Sequence, residues 1–147
     1  MYRIVIAGVL FFLLLGNVAQ AQTQFSIRAA SDESVPGWNP MQLGNQTIWV
    51  SPASSLTPAD ILRATPEKGA DGRTSVGIVF NETGTRKMKD LSVAQMNKRI
   101  AFVLDGTLIF APRVRSEIGS EAQLTGNGPN GVAPSVVDRI VSSVNKK

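Results

Sequence analysis

The chemistry open to this chain is that of carboxylates, amines and guanidinium groups, because its 147 residues include neither cysteine nor histidine. That composition removes zinc and copper sites of the usual kind, thiol nucleophiles and any histidine-based acid–base or triad mechanism. A pair of carboxylates, one acid and one base, is what remains, as in glycoside hydrolysis. Asp105 with Glu117 or Glu121 is the pairing that could supply it. Asp105-Gly106, however, joins two apolar runs, where such a dipeptide ordinarily makes a tight hairpin turn. Glu117 and Glu121 fall in a polar stretch. Structural or solvated carboxylates are therefore expected, with no catalytic residue, no metal and no cofactor. A small carboxylate-based hydrolase is the alternative from the enzyme class.

Residues 126–131 spell G-x-G-x-x-G. A dinucleotide fingerprint also needs a following strand with an acidic residue about 20 positions on. Only 16 residues follow Gly131, so a turn is expected rather than a phosphate cradle.

Binding chemistry is better represented. Arg86, Lys87, Lys89, Lys98, Arg99, Arg113 and Arg115 stand against Asp90 and Asp105, a local excess of positive charge that suits an acidic peptide or an anionic surface. The same charges also serve simply to keep a face wet. Trp38 lies in Val35-Pro36-Gly37-Trp38-Asn39-Pro40, a loop stiffened by two prolines, from which an indole can grip a partner or fold back over the core. Trp38, Arg86, Lys87 and Lys89 are the candidate partner contacts, and Trp49, on a strand, is assigned to the core. Asn45-Gln46-Thr47 and Asn81-Glu82-Thr83 match the N-glycosylation pattern, one common by chance.

These residues need elements to position them. Phe25, Ile27 and Ala29 alternate with more polar positions, the period of a half-buried strand. Residues 31–46, rich in turn formers, are expected as a long loop, followed by a short strand over 47–50. Thr57 as N-cap and Pro58 at the first helical position open a short helix that sends Ile61 and Leu62 to the core. Residues 67–73 form a charged turn, and 76–80 the central strand of the sheet. Gly84, Met88, Leu91 and Gln95/Met96 then fall at helical spacing over about four turns. Strands over 100–104 and 108–111 make the hairpin, with Gly106 at positive φ, and Pro112 ends the second of them or marks an edge. Residues 114–118 continue extended and 122–125 return as a strand. Val136, Val137, Ile140, Val141 and Val144 share one face of a closing helix. Interleaved strands and helices with a tight hairpin predict an α+β fold, a small mixed sheet with helices packed on one face.

The ends bound the rest. Residues 1–21 read as a cleavable signal peptide: Arg3 gives a positive start, Ile4 opens an apolar run of 13 residues that stops before Asn17, and Ala19-Gln20-Ala21 supplies the small-x-small pattern. A membrane-spanning helix needs roughly 20 apolar residues, so the run is short for one. Residues 22–147 then form a single domain, in which 14 basic residues face 11 acidic ones. That excess is too weak to imply nucleic acid. Without cysteine, an exported domain must rely on an ordinary hydrophobic core.

Several stretches carry a family resemblance. VGIVFNETGTRKM, NKRIAFVLDGTLIFAPRV and AQLTGN resemble, in order and spacing, the head subdomain of the first periplasmic domain of SecD, an accessory subunit of the protein-export translocase. Leu56-Thr57-Pro58-Ala59-Asp60-Ile61 is similar to that family's short helix. The motif residues are Gly84, Lys98, Arg99, Asp105, Gly106, Pro112, Thr125 and Gly126, with Arg86 and Lys87 in the helix. The resemblance implies a ferredoxin-like SecD-head fold and a non-enzymatic role in the periplasm or cell envelope. Its partners would be exported or unfolded polypeptides, translocase subunits or other envelope proteins, engaged through a sheet edge and a loop. Membrane attachment is implied only if the signal segment is retained. A structural envelope protein without a transport role is the further alternative.

Overall fold

The computed structural model describes residues 24–126 and 130–145. The expected signal peptide over 1–21 lies outside them. Eight strands and two helices follow in the order β1 (Phe25–Ser31), β2 (Asn39–Leu43), β3 (Gln46–Val50), β4 (Ile61–Lys68), β5 (Thr74–Phe80), α1 (Glu82–Ala94), β6 (Arg99–Leu104), β7 (Thr107–Phe110), β8 (Glu121–Thr125) and α2 (Pro134–Asn145). A single 3-10 turn, Pro58–Asp60, precedes β4. The α+β expectation holds, with the strands divided between two sheets. One has the order β2-β3-β1-β6-β7 and the other β4-β5-β8. All the strand ladders are antiparallel.

The alternation in β1 explains how two cores arise. Phe25 and Ile27 point into the main core with Ile100, Phe102 and Leu104 of β6, against Ile61, Ile78 and Phe80 of the smaller sheet. Met88 and Leu91 of α1 and Val137, Ile140 and Val144 of α2 complete it. Each large aliphatic or aromatic side chain fully buried here is worth about 1.5–3 kcal/mol relative to exposure. On the opposite face of the larger sheet, Ala30, Ile48, Val50, Ala101, Val103 and Leu108 form a second cluster. The sheet curls around this cluster until β2 and β7, at opposite ends of the strand order, come into contact.

Three expectations are corrected. The long loop over 31–46 contains β2, paired with β3 from Asn39↔Val50 to Leu43↔Gln46. Its Pro40 is compatible because β2 is an edge strand, where a missing N–H costs no ladder bond. Leu62 is 57% exposed rather than core. The helical turn stops at Asp60, and the register shift between Ile61 and Arg63 at the start of β4 leaves Ile61 rather than Leu62 pointing inward. Trp49 is half-buried, because Ile48 and Val50 occupy the cluster side of β3 and Trp49 takes the other. The expected β5 position is observed: it is the central strand of the smaller sheet.

Candidate functional site

The motif residues of α1 form one packed node. Asn81 caps the helix, its side-chain oxygen accepting from Gly84 N–H at 2.8 Å while its Nδ2 donates to the Ala59 carbonyl. A Cβ at Gly84 would collide with the Asp60 carbonyl, so glycine here lets α1 approach the 3-10 turn. One turn later, Lys87 Nζ donates to both carboxylate oxygens of Asp60, at 2.9 and 3.1 Å. Asp60, whose side chain is only 6% exposed, also accepts from Thr57 N–H in a capping box. Lys87 is thus committed to a buried acid, while Arg86 and Lys89 are exposed on α1. Asn81, engaged through its amide, has no free side chain to accept a glycan in the folded domain.

Two further ionic nodes hold the larger sheet. Arg99 Nε and Arg113 Nη2 donate to the two oxygens of Asp32, and Arg99 Nη1 donates to the Ala111 carbonyl. Burial opposes ionisation of Asp32, but the hydrogen bonds and charges of Arg99 and Arg113 prevail and hold its carboxyl below the usual value. Asp105 and Gly106 both have positive φ, as the two-residue turn between β6 and β7 requires. The Asp105 side chain accepts from Arg139 of α2 and from Gln24 N–H, and these lower its pKa, the Arg139 bond most. Lys98 is exposed between Asn97, at φ 63°, and β6.

The glycine-rich stretch closes on the protein itself. A Cβ at Gly126 would press on the Gly131 carbonyl, and one at Gly131 on the backbone of Thr74. Thr74 N–H donates to Asn130, Val132 N–H to Thr74, and the Gly126 carbonyl accepts from Arg73. Backbone packing at the end of β8 therefore accounts for Thr125-Gly126 and for Gly131, whereas residues 127–129 lie outside the described residues.

Among the cavities of the described residues, one is a groove between the two sheets. Its larger part, about 740 Å³, runs beside Ile109 and Phe110 of β7, Leu124 of β8, and Val132 and Val136 at the start of α2. It continues past Pro112, Gln123 and Leu124 into a second part of about 350 Å³, lined by Arg113, Arg115, Glu117 and Glu121. The larger part is mostly apolar, though Gln46, Arg99 and Gln123 also line it, and the second part is charged. Pro112 is at its centre, just beyond β7, with its carbonyl accepting from Ile100 N–H.

The proposed carboxylate pair is not assembled. Glu117 is paired with Lys89 at 3.5 Å, Asp105 with Gln24 and Arg139, and the groove that Glu117 and Glu121 line does not reach Asp105. No group of three or more Asp or Glu side chains among the described residues is placed to hold a metal ion.

Trp38 follows a turn in which its N–H donates to the Val35 carbonyl across Pro36 and Gly37, the latter at φ 80°. It is half-buried beside β2. None of Trp38, Arg86, Lys87 and Lys89 lines the groove, whereas Pro112, Arg99, Thr125 and Gly126 do. The groove's apolar members, Ile109, Phe110 and Leu124, gave no sequence signal apart from strand alternation, because the groove arises only where two sheets meet.

Residues 32–136 match the family model described as SecDF, P1 head subdomain. Over 73 residues the chain is 37% identical to the protein translocase subunit SecD of Acidaminococcus fermentans, covering 49% of this chain and 18% of that protein. Over 72 residues it is 35% identical to the SecDF subunit of Thermus thermophilus, covering 48% of this chain and 10% of that protein. It therefore spans less than a fifth of either relative. Among solved structures, SecDF in a super-membrane-facing form aligns with 84% of this chain and 18% of its own, at a TM-score of 0.63 and 21% identity. A SecDF membrane component that enhances protein export aligns with 84% of this chain and 62% of its own, at 0.61 and 19%. These likenesses establish the shared fold.

Proposed function

From the premise that this chain belongs to the SecDF P1 head subdomain family, we propose that it is an exported, non-enzymatic domain that engages polypeptide during protein export. Residues 1–21 act as the leader and residues 22–147 as the working domain, in the periplasm or cell envelope. The observation that carries this reading is the groove, a mostly apolar channel bordered by β8 on one side and by the end of β7 and the segment after it on the other. Chains in transit are unfolded, and what they share is exposed apolar side chains and an unpaired backbone, the two features such a channel complements.

Amide hydrogen exchange tests it. Adding a permanently unfolded, reduced polypeptide to the purified domain protects residues 107–114 and 121–125, whereas adding the same polypeptide in its folded state does not. Protection confined to the Trp38 loop or to α1 moves the contact to the tryptophan and the basic helix. No protection anywhere contradicts polypeptide engagement.

A further inference from the structure

We infer that the polypeptide joins the domain as an added β-strand on β8, held by the backbone of Glu121, Gln123 and Thr125, with an acidic side chain directed to Arg115. This rests on the reading that polypeptide enters the groove.

The backbone register identifies these residues. Phe80 N–H donates to the Ser120 carbonyl at 2.9 Å, directly opposite it in the β5–β8 register. Bonded pairs alternate along an antiparallel ladder, so Ile78 with Ala122 and Val76 with Leu124 are the next ones. Glu121, Gln123 and Thr125 consequently direct their N–H and C=O groups away from β5, along the outer edge that borders the groove.

The other sheet edges are blunted in the ways that natural proteins use against strand addition. β2 carries Pro40. β4 carries Pro66, Lys68 and a register shift at its start. β7 has four residues, runs into Pro112 and is approached by β2. β8 has no proline, lysine or register shift, and its neighbour across the groove is the segment leading from Phe110 to Arg113. An edge left open beside an apolar channel is complementary to an extended chain.

Charge selects among such chains. At the charged end of the groove Glu117 is paired with Lys89, and Arg113 with Asp32. Arg115 is exposed and has no hydrogen-bond or ion-pair partner among the described residues. It offers a free guanidinium to a carboxylate on the incoming strand.

The test uses the purified chain and a short peptide of alternating apolar and polar residues with one glutamate. A matched peptide is N-methylated on alternate backbone nitrogens, and another has lysine for the glutamate. Gln123→Pro removes an N–H that the β5 ladder does not use, while Gln123→Ala keeps it. Losing two backbone hydrogen bonds predicts about tenfold weaker binding of the N-methylated peptide, whereas Gln123→Pro removes one and predicts a loss of about threefold, with little change in Gln123→Ala. Arg115→Glu reverses the preference from the glutamate to the lysine peptide. Should Gln123→Pro fail to fold, the N-methylated peptide on the wild-type chain still decides. Tight binding that ignores both N-methylation and Gln123→Pro overturns strand addition and leaves polypeptide engagement intact. Failure of the unmodified peptide to bind overturns the underlying reading as well. A dimer that Gln123→Pro dissolves assigns the edge to a second copy instead and also overturns the inference.

Discussion

Gly84 and Lys87, on successive turns of α1, both meet Asp60. Both belong to the helix motif, yet Gly84 is needed for the absence of a side chain against Asp60, and Lys87 for its charge on that acid. Gly84→Ala forces overpacking at a backbone contact and should lower stability by about 1–3 kcal/mol, measured by urea denaturation. Lys87→Met leaves the Asp60 carboxylate buried without its cation. A loss of about 1–3 kcal/mol is expected, moderated because Lys87 itself is half exposed. The sequence marks Thr57 and Pro58 as a helix start, but the burial of Asp60 depends on α1 packing over it, which no local spacing encodes. Asp105 and Asp32 give the domain its acid sensitivity. Both are held below the ordinary carboxylate value in the folded state. Their stabilisation is therefore complete above the unfolded value of about 4 and is lost as pH falls through the lowered folded values. Melting temperature against pH should drop more steeply below about pH 4 for the wild type than for Asp105→Asn, which starts lower at neutral pH.

At the scale of elements, close backbone approach explains the glycine-rich stretch that mimics a nucleotide fingerprint. Gly131→Ala combines a φ of 81° with a collision against Thr74 and should destabilise by at least about 1 kcal/mol. Gly119→Ala, with open space around it and no positive φ, should stay within about 0.5 kcal/mol of wild type in the same denaturation series. The helices and the β6–β7 hairpin were legible because each depends on local rules: Met88 and Leu91 on one face of α1, Val137, Ile140 and Val144 on one face of α2, Asp105-Gly106 in the turn. β2 was hidden for a different reason. Pro36-Gly37 and Asn39-Pro40 look like loop, and only the pairing with β3 and the edge position make a strand of residues 39–43. Leu62 and Trp49 were misplaced because one register shift or one step of alternation reverses which side chain is buried.

For the whole molecule, family membership was legible in quoted motifs, while the groove was not, since it needs β7 and β8 from different sheets brought side by side. The same separation divides structural from functional roles. The motif nodes at Asp60, Asp32 and Asp105 brace the elements, and the groove between the sheets is left open. Its apolar lining and open β8 edge make engagement of extended polypeptide the central claim. The most direct measurement places a photo-crosslinking benzoylphenylalanine at Phe110, which lines the groove, or at Thr83, exposed in the first turn of α1 and not part of its lining, in the full chain within the intact envelope. Adducts with an export substrate arrested in transit are predicted from Phe110 and not from Thr83. Equal labelling from both positions, or labelling from Thr83 alone, would contradict it.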